Sequence, residues 1–367
     1  PRGGGGGGRV AAQVAGELAR RGHAVRVQTS RIAGLPAREV SPSGVDVRRT
    51  FSFRRAADTC SVPEMGGYVL SNAWPVLRAA QTWRPDVMHV HFAVPTGPVA
   101  WFAHMLARVP YVLTAHLGDV PGGAPEQTDH LFRIVKPFTR PVWRSAAAVT
   151  AVSSHVAALA RAAYGIGPRV ILNGVASCAQ KTPEPDPAGT LRLLFVGRMS
   201  VQKNPVFLAA ALASLRGRPW RAVFLGDGPL RPALEEELRR GGISGQCELR
   251  GWADADAVRA AMDSSDVLVM PSLSEGLPVA AVEAASRGLA IAGSAIPGLA
   301  DVLVDGANGW SLPASDAAAW SRALDSALGD RADLRRRQEE SLRVARRFDL
   351  SAIVDAYEQT LRDAARG

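Results

Sequence analysis

Residues 267–288 constrain the fold more than any other stretch, because the sequence changes its periodicity twice there. Val267-Leu268-Val269-Met270 is apolar without alternation, the pattern of a strand buried on both faces. Pro271-Ser272-Leu273-Ser274-Glu275-Gly276-Leu277-Pro278 is polar and marked by Gly and Pro, so it reads as the loop at that strand's carboxyl end. Pro278 suits the first turn of a helix, since it has no N–H to leave unpaired and its φ is already helical. Ala280, Ala281, Glu283, Ala284 and Ala285 carry the helix on to a C-cap at Gly288. Glu275 therefore sits in the loop and Glu283 more than a turn inside the helix. Both stand near a helix N-terminus, where backbone N–H groups and the dipole favour an anion. A phosphate flanked by hydroxyl-bearing groups, as in a sugar nucleotide, would satisfy this set.

The same strand–loop–helix grammar recurs along the chain. Gly3 to Gly8 are a glycine run, with Val10, Val14 and Leu18 after it at helical spacing, then Arg20-Arg21-Gly22-His23 and a strand over Ala24-Val25-Arg26-Val27. A glycine loop at a helix N-terminus brings backbone N–H groups, at Gly5 and Gly6, close to a phosphate. A dinucleotide site also needs an acid at the end of the next strand, where this chain has Gln28-Thr29-Ser30. Met88-His89-Val90-His91 is a strand with both imidazoles on one face and no third ligand at metal-like spacing. Tyr111-Val112-Leu113-Thr114 is a buried strand that delivers His116 and Asp119 to its carboxyl-end loop, where an imidazole can donate to a sugar hydroxyl.

In the second half, Leu193-Leu194-Phe195-Val196-Gly197 is a strand followed by Arg198 and Lys203. Two cations at a strand end can hold a diphosphate and stabilise the charge it gains on departure. Lys203 is one of only three lysines, beside Lys136 and Lys181, so an Arg-rich composition did not place it. Val223-Phe224-Leu225-Gly226-Asp227-Gly228-Pro229 reads as strand and turn, and Arg250-Gly251-Trp252 as a strand-to-loop edge. Asp254-Ala255-Asp256 has the form of a D-x-D metal motif, yet both acids open a helix, where Asp is favoured for its own sake.

Pro271–Pro278 with Glu283 resembles the E-x7-E signature and EG-x-P core of the retaining, sugar-nucleotide-dependent glycosyltransferases of family 4, which have the GT-B fold. Other elements resemble that family in the same order: the glycine loop, the Arg21-Gly22-His23-Ala24-Val25 exit, the P-D-x-x-H-x-H strand ending at His91, and the T-x-H loop of His116. They continue with Ile171-Leu172-Asn173-Gly174-Val175, the G-R-x-x-x-x-K frame of Arg198 and Lys203, Gly226-Asp227-Gly228-Pro229 and Asp305-Gly306-Ala307-Asn308-Gly309. The resemblance implies that Glu275 and His116 orient the donor sugar and that Arg198 and Lys203 stabilise the leaving diphosphate. It implies that Glu283 binds the ribose, that Gly276, Leu277 and Pro278 line the donor site, that Gly228 stands near the phosphates, and that backbone at Arg250 meets the base. It implies no metal. Two departures stand out: family members have a strand before the glycine loop, and a Pro-Glu pair where this chain has Ala300-Asp301.

A chain of 367 residues is expected to divide. The reading is α/β: two Rossmann-like domains facing a cleft, over 1–177 (acceptor side) and 191–346 (nucleotide-sugar side). A polar, proline-bearing linker spans 178–190, and 347–367 is a C-terminal helix crossing back over both domains. Cys60, Cys178 and Cys247 are odd in number and widely spaced, which fits reduced thiols and a cytoplasmic setting. The formal charge of +9 favours anionic partners. Scattered arginines without a zinc-finger or RNA-binding motif exclude nucleic acid from these. Arg48-Arg49 and Arg54-Arg55 suggest loose contact with an anionic membrane, which suits a lipid-linked acceptor, a glycan or small-molecule acceptor being equally open. A sugar-nucleotide epimerase, which converts the donor without an acceptor, and a non-catalytic sugar-nucleotide-binding subunit are the alternatives.

Overall fold

Apolar runs without alternation can be buried on both faces only in a sheet covered by helices on each side, and such sheets are parallel. In a computed structural model, the structure describes residues 6–32, 34–52, 61–123, 125–176 and 182–367, without the side chains of 125–131 and 133. The chain divides into two compact units, Pro1–Gly174 with Leu350–Gly367, and Val175–Asp349.

In the first unit the elements are α1 (Gly6–Arg20), β1 (Arg26–Ser30), β2 (Arg38–Val40), β3 (Asp46–Thr50), α2 (Val62–Thr82), β4 (Met88–His91), α3 (Thr96–Ala107), β5 (Tyr111–Ala115), α4 (Pro125–Arg144), β6 (Ala148–Ala151), α5 (Ser154–Tyr164) and β7 (Arg169–Val170). Its strands form two sheets: β1 pairs parallel with β3 and β2 antiparallel with β3, while β4, β5, β6 and β7 pair parallel in that order. The first strand starts two residues later than the sequence predicts, at Arg26, because Gly22 turns the chain at φ +91° and Gln28, Thr29 and Ser30 complete the pairing. Among the described residues no strand precedes α1. β5 is buried throughout, and its polar groups are satisfied: Thr114 by His89 (2.8 Å) and Thr150 (2.7 Å), and the Tyr111 hydroxyl by donating to the Val142 carbonyl (2.5 Å). Arg48 and Arg49 are paired with Asp46 and Glu39; Arg54 and Arg55 lie outside the described residues.

The second unit runs β8 (Leu191–Val196), α6 (Pro205–Ala213), β9 (Trp220–Leu225), α7 (Arg231–Arg240), β10 (Cys247–Gly251), α8 (Ala255–Asp263), β11 (Val267–Met270), α9 (Val279–Ser286), β12 (Ala290–Ser294), β13 (Gly309–Leu312), α10 (Ala317–Gly329) and α11 (Arg331–Ala345). Its sheet is parallel, in the order β10-β9-β8-β11-β12-β13. Alternate residues Leu191, Leu193 and Phe195 pack with α6, α7 and α10 in one core, around Trp220 and Trp320. α9 and α11 pack on each other and on β12. The chain returns in α12 (Leu350–Arg366), which belongs to the first unit. There Arg21 donates to Glu358 (2.9 Å) and Asp355 (2.6 Å), and the Arg and His23 partners hold the Glu358 carboxyl down at about 2.

Order in the sheet centres on β8 and β11, which are joined at their amino ends by Asp266. Its carboxylate accepts from the Arg192 backbone N–H (2.8 Å) and guanidinium (2.6 Å), and its own N–H donates to the Arg192 carbonyl (2.8 Å). Asp266→Ala leaves that guanidinium without its charged acceptor. The loss expected in urea denaturation is about 1.5–3 kcal/mol, the range for hydrogen bonds to charged groups. A change within error of the parent would show that the strands hold their register without it.

Candidate active site

Chain order in the second sheet decides where its ligand loops meet. From β8 the chain moves outward through β9 and β10, then returns to the other side of β8 as β11 and moves outward again. The loops leaving β8 and β11 therefore diverge at a topological switch point, and open α/β sheets bind ligands at the carboxyl ends of their strands there. The first of these loops carries Arg198 and Lys203, and the second carries Glu275.

Those two loops are joined by several bonds. Lys203 Nζ donates to Glu275 Oε1 at 2.5 Å, with Glu275 only 7% exposed. The Leu273 N–H donates to the Gln202 carbonyl (2.8 Å), and the Gln202 side-chain amide to the Ser274 carbonyl (2.9 Å). A carboxylate this buried needs a charged partner, and the ammonium supplies it while keeping further N–H donors for a ligand. The Lys203 stem lies over Gly197, where a Cβ would meet it at 3.4 Å. Backbone crowds the same place from three sides. A Cβ on Gly226 would stand 1.9 Å from the Gly197 carbonyl oxygen, one on Gly228 2.5 Å from that of Met199, and one on Gly298 1.8 Å from that of Glu275. Arg198 is half-buried beside Gly197.

Beyond Glu275, Gly276, Leu277 and Pro278 are buried, and Pro278 is the N-cap of α9 with ψ 118°, one position before the first turn in which the sequence places it. The helix ends in a Schellman arrangement, with Gly288 at φ +73° donating to Ala285 and Leu289 donating to Ala284. Glu283 is half-buried within α9.

In the first unit, β4 and β5 run in register with His91 opposite Thr114, so the residues just past them are neighbours. His91 Nδ1 and His116 Nε2 are hydrogen-bonded at 3.1 Å, and the Phe92 ring stacks on His116 at 4.2 Å between centroids. Phe92 sits at φ +72°, a conformation costly for a side chain of its size, and a Cβ on Gly7 would lie 2.3 Å from its ring. Asp119, 1% exposed, fixes the loop by accepting from the backbone N–H groups of Ala93 (2.7 Å), His116 (2.9 Å) and Leu117 (3.1 Å). Burial holds His91 down at about 4 and His116 well below its ordinary range, so both imidazoles are neutral at pH 7 and each can donate from only one nitrogen.

Residues 4–177 match the model of Glycosyltransferase Family 4, and residues 190–330 that of Glycosyl transferases group 1. The 2-deoxystreptamine N-acetyl-D-glucosaminyltransferase of Streptomyces fradiae is 33% identical over 346 residues, which is 86% of this chain and 80% of that protein. The chain belongs to glycosyltransferase family 4. The 2-deoxystreptamine glucosyltransferase of Streptomyces kanamyceticus is 31% identical over 267 residues, covering 64% of this chain and 67% of that one. Among solved structures, sucrose-phosphate synthase from Thermosynechococcus elongatus superposes with TM-score 0.84 at 21% identity, over 98% of this chain and 93% of that one. Anabaena HepE in complex with UDP-glucose superposes with TM-score 0.77 at 18% identity, over 98% and 96%. The fold is GT-B, and the protein is a glycosyltransferase.

Against this family frame the sequence-derived residues fall into three groups. Arg198, Lys203, Glu275, Gly276, Leu277, Pro278 and Gly228 gather around the two switch-point loops. His116 belongs to the first unit, as does Gly6, which opens α1; Gly5 lies outside the described residues. Arg250 is on the edge strand β10, exposed, with its guanidinium on Glu248 at 2.8 Å. Asp254 caps α8 through the Ala257 N–H (2.9 Å) and Asp256 pairs with Arg259, the helix-opening roles the sequence suggests. Sequence reading passed over Gly298, placed His91 on its strand without its contact to His116, and separated Lys203 from Glu275 by function where the structure joins them. Only the three-dimensional approach of one backbone to another identifies Gly298; its position after Pro297 signals no more than a turn.

Gly298 offers a direct check on how tightly the Glu275 loop is held. The obstacle to a Cβ there is backbone, so Gly298→Ala must displace the Glu275 peptide. A misplacement of about 1 Å at a reacting centre costs on the order of a hundredfold in rate. Steady-state rates should fall by about that factor, while circular dichroism shows a folded protein. Full activity in the alanine variant would show that the loop is free to shift.

Proposed function

We propose that the protein moves a sugar from a nucleotide-diphosphate donor to a hydroxyl-bearing acceptor with retention at the anomeric carbon. The observation that carries this is the Lys203–Glu275 pair, set beside Arg198 where the second sheet's central loops diverge. In the step, the bond from the sugar's C1 to the phosphate oxygen breaks and the acceptor oxygen bonds to C1 on the same face. The acceptor's proton leaves with the diphosphate. Arg198 and Lys203 meet the charge that grows on the departing diphosphate, the kind of preorganised stabilisation that acts most strongly in the transition state. Glu275, oriented by Lys203, accepts from a sugar hydroxyl, and Glu283 accepts from the ribose hydroxyls. The backbone of Gly276, Leu277 and Pro278 leads to the N-terminus of α9, and that of Arg250 reaches the base. His116, neutral, donates to a sugar hydroxyl.

Anabaena HepE, solved with UDP and with UDP-glucose, supports a nucleotide-sugar donor for a chain of this fold. The two Streptomyces relatives are named for transfer to 2-deoxystreptamine, which favours a small polyhydroxylated acceptor over a polymer. The cationic side chains serve where other transferases use a divalent ion, so turnover is expected to persist in EDTA.

The two glutamates separate the roles. Glu283→Gln should weaken nucleoside-diphosphate binding by about 1.5–3 kcal/mol, the worth of a hydrogen bond to a charged group. Glu275→Gln should spare that affinity and lower turnover. Calorimetry with UDP and other nucleoside diphosphates, alongside steady-state rates with an acceptor panel, measures both. A folded Glu275→Gln protein with full kcat would remove the sugar-orienting role. Donor conversion that needs no acceptor would indicate an epimerase instead.

A further inference from the structure

Helices that flank a sheet bury one stripe and normally present polar residues on the other. Three neighbouring helices of the first unit depart from this. α2 buries Leu77 and Ala80, α3 buries Val99, Ala100 and Ala103, and α4 buries Phe132, Val142 and Trp143. Each then exposes further large apolar side chains: Leu70 and Trp74 on α2, Met105 and Leu106 on α3, and Ile134 and Phe138 on α4, from 55% exposed for Leu106 to 81% for Leu70. α3 carries no Asp, Glu, Lys or Arg between Thr96 and Ala107, the composition of a helix covered on every side.

The three helices lie side by side, with α3 in the middle. Ala103 of α3 and Ala80 of α2 share one apolar cluster. At the other end of α3, Gly97 meets Val142 of α4 so closely that a Cβ would come within 2.5 Å of it. The exposed apolar positions are therefore grouped on one layer of the unit. Grouping of this kind, in place of single scattered residues, marks an interaction surface.

Toward their carboxyl ends the charge on these helices is of one sign, the acids Glu64 of α2 and Glu126 and Asp129 of α4 falling near their amino ends. On α4, Ile134, Phe138 and Pro141 recur at i, i+4 and i+7, and exposed Lys136, Arg140 and Arg144 recur at i, i+4 and i+8 beside them, with no acid between Ile134 and Arg144. Exposed Arg78 follows Leu70 and Trp74 at the same four-residue interval on α2, and exposed Arg108 ends α3. A helix with an apolar stripe running parallel to a cationic one fits the boundary between acyl chains and headgroups. A second copy of the chain fits poorly, since a two-fold contact would bring the same cationic patch of both copies together.

We propose that the α2–α3–α4 layer docks on an anionic lipid bilayer. Ile134 and Phe138 enter at the acyl boundary, and Lys136, Arg140 and Arg144 lie against lipid phosphates. The contact is peripheral: no helix among the described residues is long and apolar enough to cross a membrane. The proposal is independent of the chemistry proposed for the second unit.

Flotation of the full chain with vesicles of phosphatidylcholine, alone or mixed with phosphatidylglycerol, tests it at low and high salt. Binding is expected to the mixed vesicles only and to weaken with salt. Each cation near such a surface is worth about a fivefold change in partition, so Lys136→Gln/Arg140→Gln/Arg144→Gln should weaken binding by about a hundredfold. Ile134→Ser/Phe138→Ser should abolish it, with melting temperature and donor turnover in solution unchanged in both variants. The triple variant reads the same face if the serine pair does not fold. No flotation of the parent at low salt overturns the proposal, as does undiminished flotation of both folded variants. A lipid-free dimer that Phe138→Ser dissociates would assign the layer to self-association, and retention of polyglutamate without retention of vesicles would assign it to an acidic polypeptide.

Discussion

A parallel sheet whose chain starts in the middle must send its two central loops apart, and in the second unit those loops are tied together again by one ion pair. Lys203 and Glu275 lie on the loops after β8 and β11, and a buried carboxylate cannot be left there without a charged partner. The rest of the local structure depends on that contact. Glycine stands at 226, 228 and 298 because backbone occupies the space a side chain would need. Pro278 and the Schellman end at Gly288 then hold α9 at the length that places Glu283 inside it.

The first unit solves a related problem with other groups. Its loop after β5 carries an imidazole, and three constraints fix the ring: the His91 hydrogen bond, the Phe92 stack and the Asp119 carboxylate beneath the loop backbone. Burial keeps that imidazole neutral, so it works as a hydrogen-bonding group and not as a charge. In the proposed reaction the charge that meets the departing diphosphate comes instead from Arg198 and Lys203 of the second unit.

Much of this was legible in the sequence for physical reasons. Unalternating apolar runs such as Val267–Met270 and Leu193–Val196 specify strands buried on both faces, and Gly and Pro punctuate them. Arg198, Lys203 and Glu275 were visible because each falls in a polar loop directly after such a run. The sequence is silent where a residue's reason lies in a distant segment. Lys203 and Glu275 are far apart in the chain, and only the strand order β8-β11 makes them neighbours. Gly298 looks like any turn glycine until the Glu275 carbonyl is placed against it. The α2–α3–α4 layer was missed for a different reason: apolar residues at helical spacing read as core, and a second apolar stripe on a helix already buried cannot be told apart from the first. Arg48 and Arg49, which charge alone pointed toward a membrane, are held by Asp46 and Glu39.

The claim that Lys203 and Glu275 work as one unit is tested most directly by a double-mutant cycle read in turnover. Lys203→Met, Glu275→Gln and the double variant are compared with the parent by release of nucleoside diphosphate under single-turnover conditions. Groups that act together are strongly non-additive, so the double variant should be no slower than the slower single variant, with a coupling of about 0.5–3 kcal/mol. Losses that simply add would contradict the account, and so would a folded single variant that turns over at the parental rate.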